Sequence, residues 1–173
     1  PMAQKNLARV FISVPNLDHD VARRLEPRAS SPTRRIECIR RLSSSGVPVG
    51  VLVAPVIPFL TDHQIENILR AAYEVGARHA GYVLLRLPLE LRALFEEWLA
   101  AHYPDRAARV LSLVRQTRGG LDYDSRWFTR QRGEGPYARL IGDRFRRAAA
   151  KHGLNRIRRP LDVSQFRRPM GDA

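Results

Sequence analysis

"VLVAPVIPFLTD", residues 51–62, decides the fold class. Val51, Leu52, Val53 and Val56 leave no polar side for solvent, so the run reads as a strand buried on both faces. It is broken at Pro55 and Pro58, and Thr61 with Gln64 has capping-box spacing, which predicts a helix from about Asp62. A buried strand that ends in a rigid loop and turns straight into a helix is a βα unit. In parallel α/β folds the loops at the carboxyl ends of the strands hold the ligands.

On either side of this unit the same alternation recurs. "RVFISV" (9–14) is a β-rich run followed by a polar loop to about Ser31. "PTRRIECIRRLSSSG" (32–46) then has Ser31 as N-cap, Pro32 as first helical residue and Gly46 as stop, with Ile36, Ile39 and Leu42 on a narrow apolar face. Downstream, Ile65, Ile68, Leu69 and Ala72 share one helix face, Gly76 ends it, and "AGYVLLRLP" supplies a third strand. A helix after Pro88 carries Leu91, Leu94, Phe95, Trp98 and Leu99 on one side. Three strands, at about 9–14, 48–56 and 80–86, predict an α/β fold of three βα units with right-handed crossovers into a parallel sheet. Residues 1–104 form this unit. Residues 105–173 are expected to form a helical, arginine-rich extension: a helix over 105–117, the loop "RGGLDYDSRWFTRQRGEGP" (118–136), a helix over 136–151 and a basic tail.

The chain has 173 residues, 44% hydrophobic and 27% charged, enough for one core. Its longest apolar stretch, near residues 47–60, is cut by glycine and proline, so no membrane span is expected. With Cys38 as the single cysteine there is no internal disulfide framework, and the expected compartment is the cytoplasm. The opening "PMAQKNLARVFISV" reads like the end of a helix running into a strand, so the natural start of the domain is expected upstream. Net charge is +13, and residues 126–173 contain 13 basic and 4 acidic residues, a surplus of nine. That footprint suits a nucleic-acid backbone. Of the 30 basic residues 28 are arginine, which genome composition also produces.

The loops after the strands contain the candidate chemistry. Ser13 and Asn16 could hydrogen-bond a ribose, or Asn16 and Asp18 could be turn residues. Glu26 and Arg28, two apart around Pro27, could hold an amino-acid zwitterion, or form a surface pair. Pro55, Ile57 and Pro58 offer apolar contact for a flat base, or only a rigid turn. Arg86 places a charge at the exit of a buried strand, where it needs a ligand or an ion-pair partner. Tyr123, Trp127, Phe128 and Tyr137, interleaved with Arg126, Arg130 and Arg132, suit stacking on bases between phosphate contacts. Arg158, Arg159, Arg167 and Arg168 extend the basic path. Cys38 and the five histidines have no metal-ligand spacing. "GGLDYD" and "GEGPY" lack the strand-to-helix context of nucleotide fingerprints and could make a mobile lid.

"FISVPNLD", "LEPRASSPTRRIECIRRLSSSGVPVGVLVAPVIP", "GYVLLRLP" and "RGGLDYDSRW…RGEGPYARLI" together resemble the C-terminal part of the radical SAM proteins described as DNA repair photolyases, related to spore photoproduct lyase. The resemblance covers essentially the whole chain. It implies the fourth to sixth strands of a partial (β/α)6, TIM-like barrel that binds S-adenosylmethionine across its strand ends. Pro55, Ile57 and Pro58, with the backbone of Leu85, Arg86 and Leu87, would lie by the adenine. Ser13 and Asn16 would face the ribose or methionine, with Glu26 and Arg28 close by. The family's 4Fe–4S cluster is held by three cysteines in a CxxxCxxC-type loop that this chain lacks, so the segment by itself is expected to be inactive and prone to self-association at its open strand edge. The whole enzyme would need an electron donor and would abstract hydrogen from its substrate, DNA in a photolyase-like repair. A non-catalytic arginine-rich module binding nucleic acid, and a radical enzyme acting on a peptide or small molecule, are the alternatives.

Overall fold

The computed structural model describes residues 2–121, 129–157 and 160–167. Three strands, β1 (Val10–Ser13), β2 (Val49–Val56) and β3 (His79–Leu84), form a parallel sheet in the order β1-β2-β3. Between β1 and β2 run helices α1 (His19–Leu25) and α2 (Pro32–Ser44), and between β2 and β3 a 3-10 turn (Asp62–Gln64) leads into α3 (Ile65–Glu74). Then follow α4 (Leu91–His102), α5 (Pro104–Gln116), the short α6 (Thr129–Arg132) and α7 (Gly135–Lys151). The expected α/β class and the three parallel strands are present.

Parallel partners share a face, so Ile12, Val51 and Ala80 form one row, with Val53 beside Tyr82 in the next. This face carries the main core: Val49, Val51, Val53 and Leu84 are buried together with Ile39 of α2, Ile65, Ile68, Leu69 and Ala72 of α3, and Ile141 and Phe145 of α7. Tyr82 packs on Phe145 with ring centroids 4.8 Å apart. Thus α7, far beyond residue 104, belongs to the same core as the sheet. The opposite face was expected to be buried as well, and it is not. Leu52 is half-buried and Phe11, in register with Gly50 and His79, is 44% exposed. Gly50 is required there, because a Cβ would lie 2.6 Å from the Phe11 ring and 2.8 Å from the His79 carbonyl.

Three local readings change. The segment read as a polar loop contains α1, started by Asp18, whose carboxylate accepts from the backbone N–H groups of Asp20 and Val21. Thr61 does not cap α3. Its hydroxyl accepts from the Ile57 N–H at 2.9 Å, Gln64 accepts from the Leu17 N–H at 2.6 Å, and the α-helix starts only at Ile65. Leu91 and Leu94 of α4 are 46% and 56% exposed. Phe95 and Leu99 turn instead into a second cluster with Ile57, Leu60, Leu87, Val110 and Val114, above the carboxyl ends of the strands. The opening residues do close like a helix end: Leu7 N–H reaches the Met2 carbonyl, Asn6 N–H that of Ala3, and Asn6 has φ 55°.

The two outer strands are treated differently. On β3 the Asn155 amide pairs with both the N–H and the carbonyl of Ala80 at 3.0 Å, and the Arg118 guanidinium donates to the Leu84 and Leu85 carbonyls. On β1 no strand pairs with the outer side among the described residues. No helix among the described residues is long and apolar enough to cross a membrane.

Candidate functional site

The carboxyl end of β1 runs through Ser13, Val14 and Pro15 to Asn16. Asn16 is fully buried, and neither its side-chain nitrogen nor its side-chain oxygen has a hydrogen-bond partner. Leaving a buried polar group unsatisfied costs about 1–3 kcal/mol, so such a group marks a place where something is expected to complete it. Asn16 lines a cavity of about 230 Å³ between α1 and α2, with Glu26, Ser30, Ser31 and Arg35 on its other walls.

The polar wall is organised by Arg35, which sequence reasoning passed over. From α2 its guanidinium donates to the Ser13 carbonyl at 2.9 Å, to the Ser30 carbonyl at 2.8 Å and to the Glu26 carboxylate at 2.7 Å. Arg35 thus ties the end of β1 to the loop after α1. Glu26 is therefore engaged by Arg35 and is not paired with Arg28, which stands exposed in the turn between α1 and α2. A sequence signal for Arg35 existed only in part: it sits one turn into a well-capped helix, where it can reach back over the preceding loop.

The second and third loops differ from the expected base platform. Ile57 and Leu87 are buried in the cluster above the sheet, and the Ile57 N–H and carbonyl are taken by Thr61 and by the Leu60 and Thr61 N–H groups. Pro55 is half-buried within β2, where the ladder to β3 shifts register between Val53 and Val56. Leu85 spends its N–H on the Val56 carbonyl, and its own carbonyl accepts from Arg118 at 2.7 Å. Arg86 is half-buried just past the end of β3. Arg118 is itself buried and also donates to the Thr129 and Arg130 carbonyls, which fixes α6 beside β3.

Of the residues read as a stacking surface, Tyr137, Arg130 and Arg132 are among the described residues. Tyr137 is half-buried and donates its hydroxyl to the buried Asp62 carboxylate. Burial and the Asp62 charge push its phenol up to about 12. Beside it Arg144 makes two 2.8 Å hydrogen bonds to Glu66. Burial alone would raise the Glu66 carboxyl, but the Arg144 contacts outweigh it and hold it below its ordinary range. Arg132 lies with its guanidinium carbon 4.5 Å from the Tyr82 ring centroid, and Arg130 is half-buried in α6. Arg167 is exposed. Tyr123, Arg126, Trp127, Phe128, Arg158, Arg159 and Arg168 lie outside the described residues, as do residues 122–124 of the expected lid, whereas its GEGPY part is the turn that starts α7.

No group of three or more His, Cys, Asp or Glu side chains among the described residues could hold a metal ion. Cys38 is exposed on α2.

No family model matches the chain, and no solved structure matches it. It is similar to an uncharacterized protein of Mycobacterium tuberculosis, 29% identical over 116 residues, which are 66% of this chain and 34% of that protein. An uncharacterized protein of Mycobacterium bovis matches to the same extent. An uncharacterized protein of Acidianus two-tailed virus is 40% identical over 47 residues, 27% of this chain and 16% of the viral protein. The chain spans about a third of the length of the mycobacterial relatives.

Proposed function

We propose that this chain is the nucleoside-binding, C-terminal half of a radical SAM barrel. The observation that carries the reading is Asn16: a fully buried amide with neither end satisfied, at the carboxyl end of a parallel strand and facing a cavity. An amide offers one acceptor and two donors, which matches the donor and acceptor capacity of ribose hydroxyls. Parallel α/β sheets place ligands at these strand ends. The open sheet face with Phe11, Leu52 and Gly81 fits the inner wall of a barrel whose other strands come from elsewhere, and the greater length of the relatives is compatible with that.

Roles follow for the residues present. Asn16 would bind and orient the ribose. Ser13, three residues earlier at the end of β1, would flank it. Arg35 would keep Glu26 and the Ser13 carbonyl in place, and the exposed Arg28 would meet the carboxylate of the methionine part. Ile57 and Leu87, locked in the cluster above the sheet, would keep the adjoining loops rigid and dry, while half-buried Pro55, Leu85 and Arg86 would border the adenine. Bound S-adenosylmethionine, reduced by one electron, supplies hydrogen abstraction. A 4Fe–4S cluster does not fit this chain, which has one cysteine, so its ligands would belong to the preceding part of a longer protein and the cytoplasm would supply the electron donor.

The test starts from the coding sequence upstream of Pro1, where three closely spaced cysteines are expected. The longer protein, reconstituted anaerobically with iron and sulfide and reduced, should release 5′-deoxyadenosine from S-adenosylmethionine, and Asn16→Leu should lower that release at least about tenfold, as expected when one polar interaction is removed. Absence of the cysteines, or release unaffected by Asn16→Leu, overturns the reading.

A further inference from the structure

At the other end of the strands lies a larger concavity of about 980 Å³, between the turn at residues 2–6, the start of β3 and the end of α7. Among the described residues its basic and imidazole side chains are Arg9, Arg78, His79, Lys151, His152 and Arg156, with Tyr73 beside them, and no acidic residue lines it. Two further depressions adjoin it. One shares Arg9 and His79 and adds Arg132 and Arg146, and the other shares Lys151 and His152 and adds Arg70, Arg147 and the Arg144–Glu66 ion pair. The cations and imidazoles of the cleft itself come from four separate segments, 9, 78–79, 151–152 and 156, so the patch is assembled by the fold and is not a run of sequence. In a chain with 17 acidic residues, a concavity on this scale with no acid in its described lining is a departure from an interspersed surface.

Local geometry keeps Arg78, Lys151 and Arg156 in the open, while Arg9 is half-buried at the cleft wall. Arg78 is exposed, anchored by hydrogen bonds to the Tyr73 and Ala77 carbonyls and with its guanidinium carbon 4.7 Å from the Tyr73 ring centroid. Lys151 and Arg156 are exposed on either side of the turn that ends α7. Burial and the nearby Arg9 charge hold His79 below its ordinary pKa, the behaviour of an imidazole in a positive field.

We propose that this cleft binds the phosphate backbone of a nucleic acid. Arginine and lysine from several elements around one groove give repeated phosphate contacts, whereas a single small anion would use only one or two of them. The groove lies at the amino ends of the strands, roughly 20 Å from Asn16 by the rise of the strands. It therefore anchors a backbone and is not the place where a ligand at Asn16 would react. The inference does not depend on the cofactor reading.

The experiment uses the purified chain and fluorescence anisotropy of labelled oligo(dT) at several salt concentrations. The double variant Lys151→Gln, Arg156→Gln should bind about tenfold more weakly at moderate salt. Its log–log salt slope should fall by about 1.4, at about 0.7 for each single-strand phosphate that the variant no longer neutralises. Arg106→Gln with Arg109→Gln removes the same charge from exposed positions on α5, beside the second apolar cluster, and should leave affinity within about twofold and the slope unchanged. Three results overturn the proposal. They are no binding by the wild type, equal weakening in the two double variants, which would mean diffuse attraction, and displacement of oligo(dT) by polyglutamate as effective as by unlabelled oligonucleotide, which would point to an acidic protein.

Discussion

The hydroxyl of Tyr137 on α7 donates to the carboxylate of Asp62, 2.5 Å away at the turn that begins α3. Arg144, two helical turns further along α7, clamps Glu66 with two hydrogen bonds. These contacts join the last helix of the described core to the βα unit from which the fold is read, and they orient α7 over the same face that Tyr82 and Phe145 fill.

Tyr137→Phe removes the donor and leaves the buried Asp62 oxygen short of a partner, at a cost of about 1–3 kcal/mol in urea denaturation. The phenol is raised in the folded state, to about 12, against about 10 when unfolded. Its contribution is therefore whole below pH 10 and is lost as pH rises through about 12. Ultraviolet titration of tyrosinate should show one tyrosine ionising last, and that step should vanish in Tyr137→Phe.

Asn16→Leu should leave the stability of the chain unchanged or raise it by about 1 kcal/mol, because it swaps an unsatisfied buried amide for an apolar group of similar volume. Most buried polar residues behave oppositely. A destabilisation above about 1 kcal/mol in chemical denaturation would show that the amide is already satisfied in the free chain.

Arg118→Met should be among the most damaging substitutions. Its guanidinium is shared by four backbone carbonyls, those of Leu84, Leu85, Thr129 and Arg130. Removing it leaves the end of β3 and α6 without their common donor, for a destabilisation of roughly 3 kcal/mol or more. A thermal midpoint equal to that of the wild type would refute this.

Self-association is expected through β1, whose outer side has no strand partner among the described residues and whose Phe11 is 44% exposed. Phe11→Lys puts a charge on that edge, and sedimentation velocity should show dimers or larger species of the wild type and monomers of the variant. Equal distributions would place the contact elsewhere.

The βα alternation is legible in the chain alone, because its signals are local. Ser31 and Pro32 start α2, Gly46 and Gly76 take positive φ where helices end, and β-branched runs form β1, β2 and β3. Hidden from such reading was α1, whose seven residues bury none of their side chains and so give no apolar period. Everything that depends on partners distant in the chain was settled by packing. Thr61 turned from cap to loop brace for Ile57, Glu26 found Arg35, Tyr137 found Asp62 75 residues away, and β3 received Asn155 from equally far. Packing also decided that Ile57 and Leu87 are core, that Asn16 is buried without partners, and that cations from four segments meet in one cleft. A residue's type limits which bonds it can make, but only the packing of the elements sets which partner lies within reach and how much water remains.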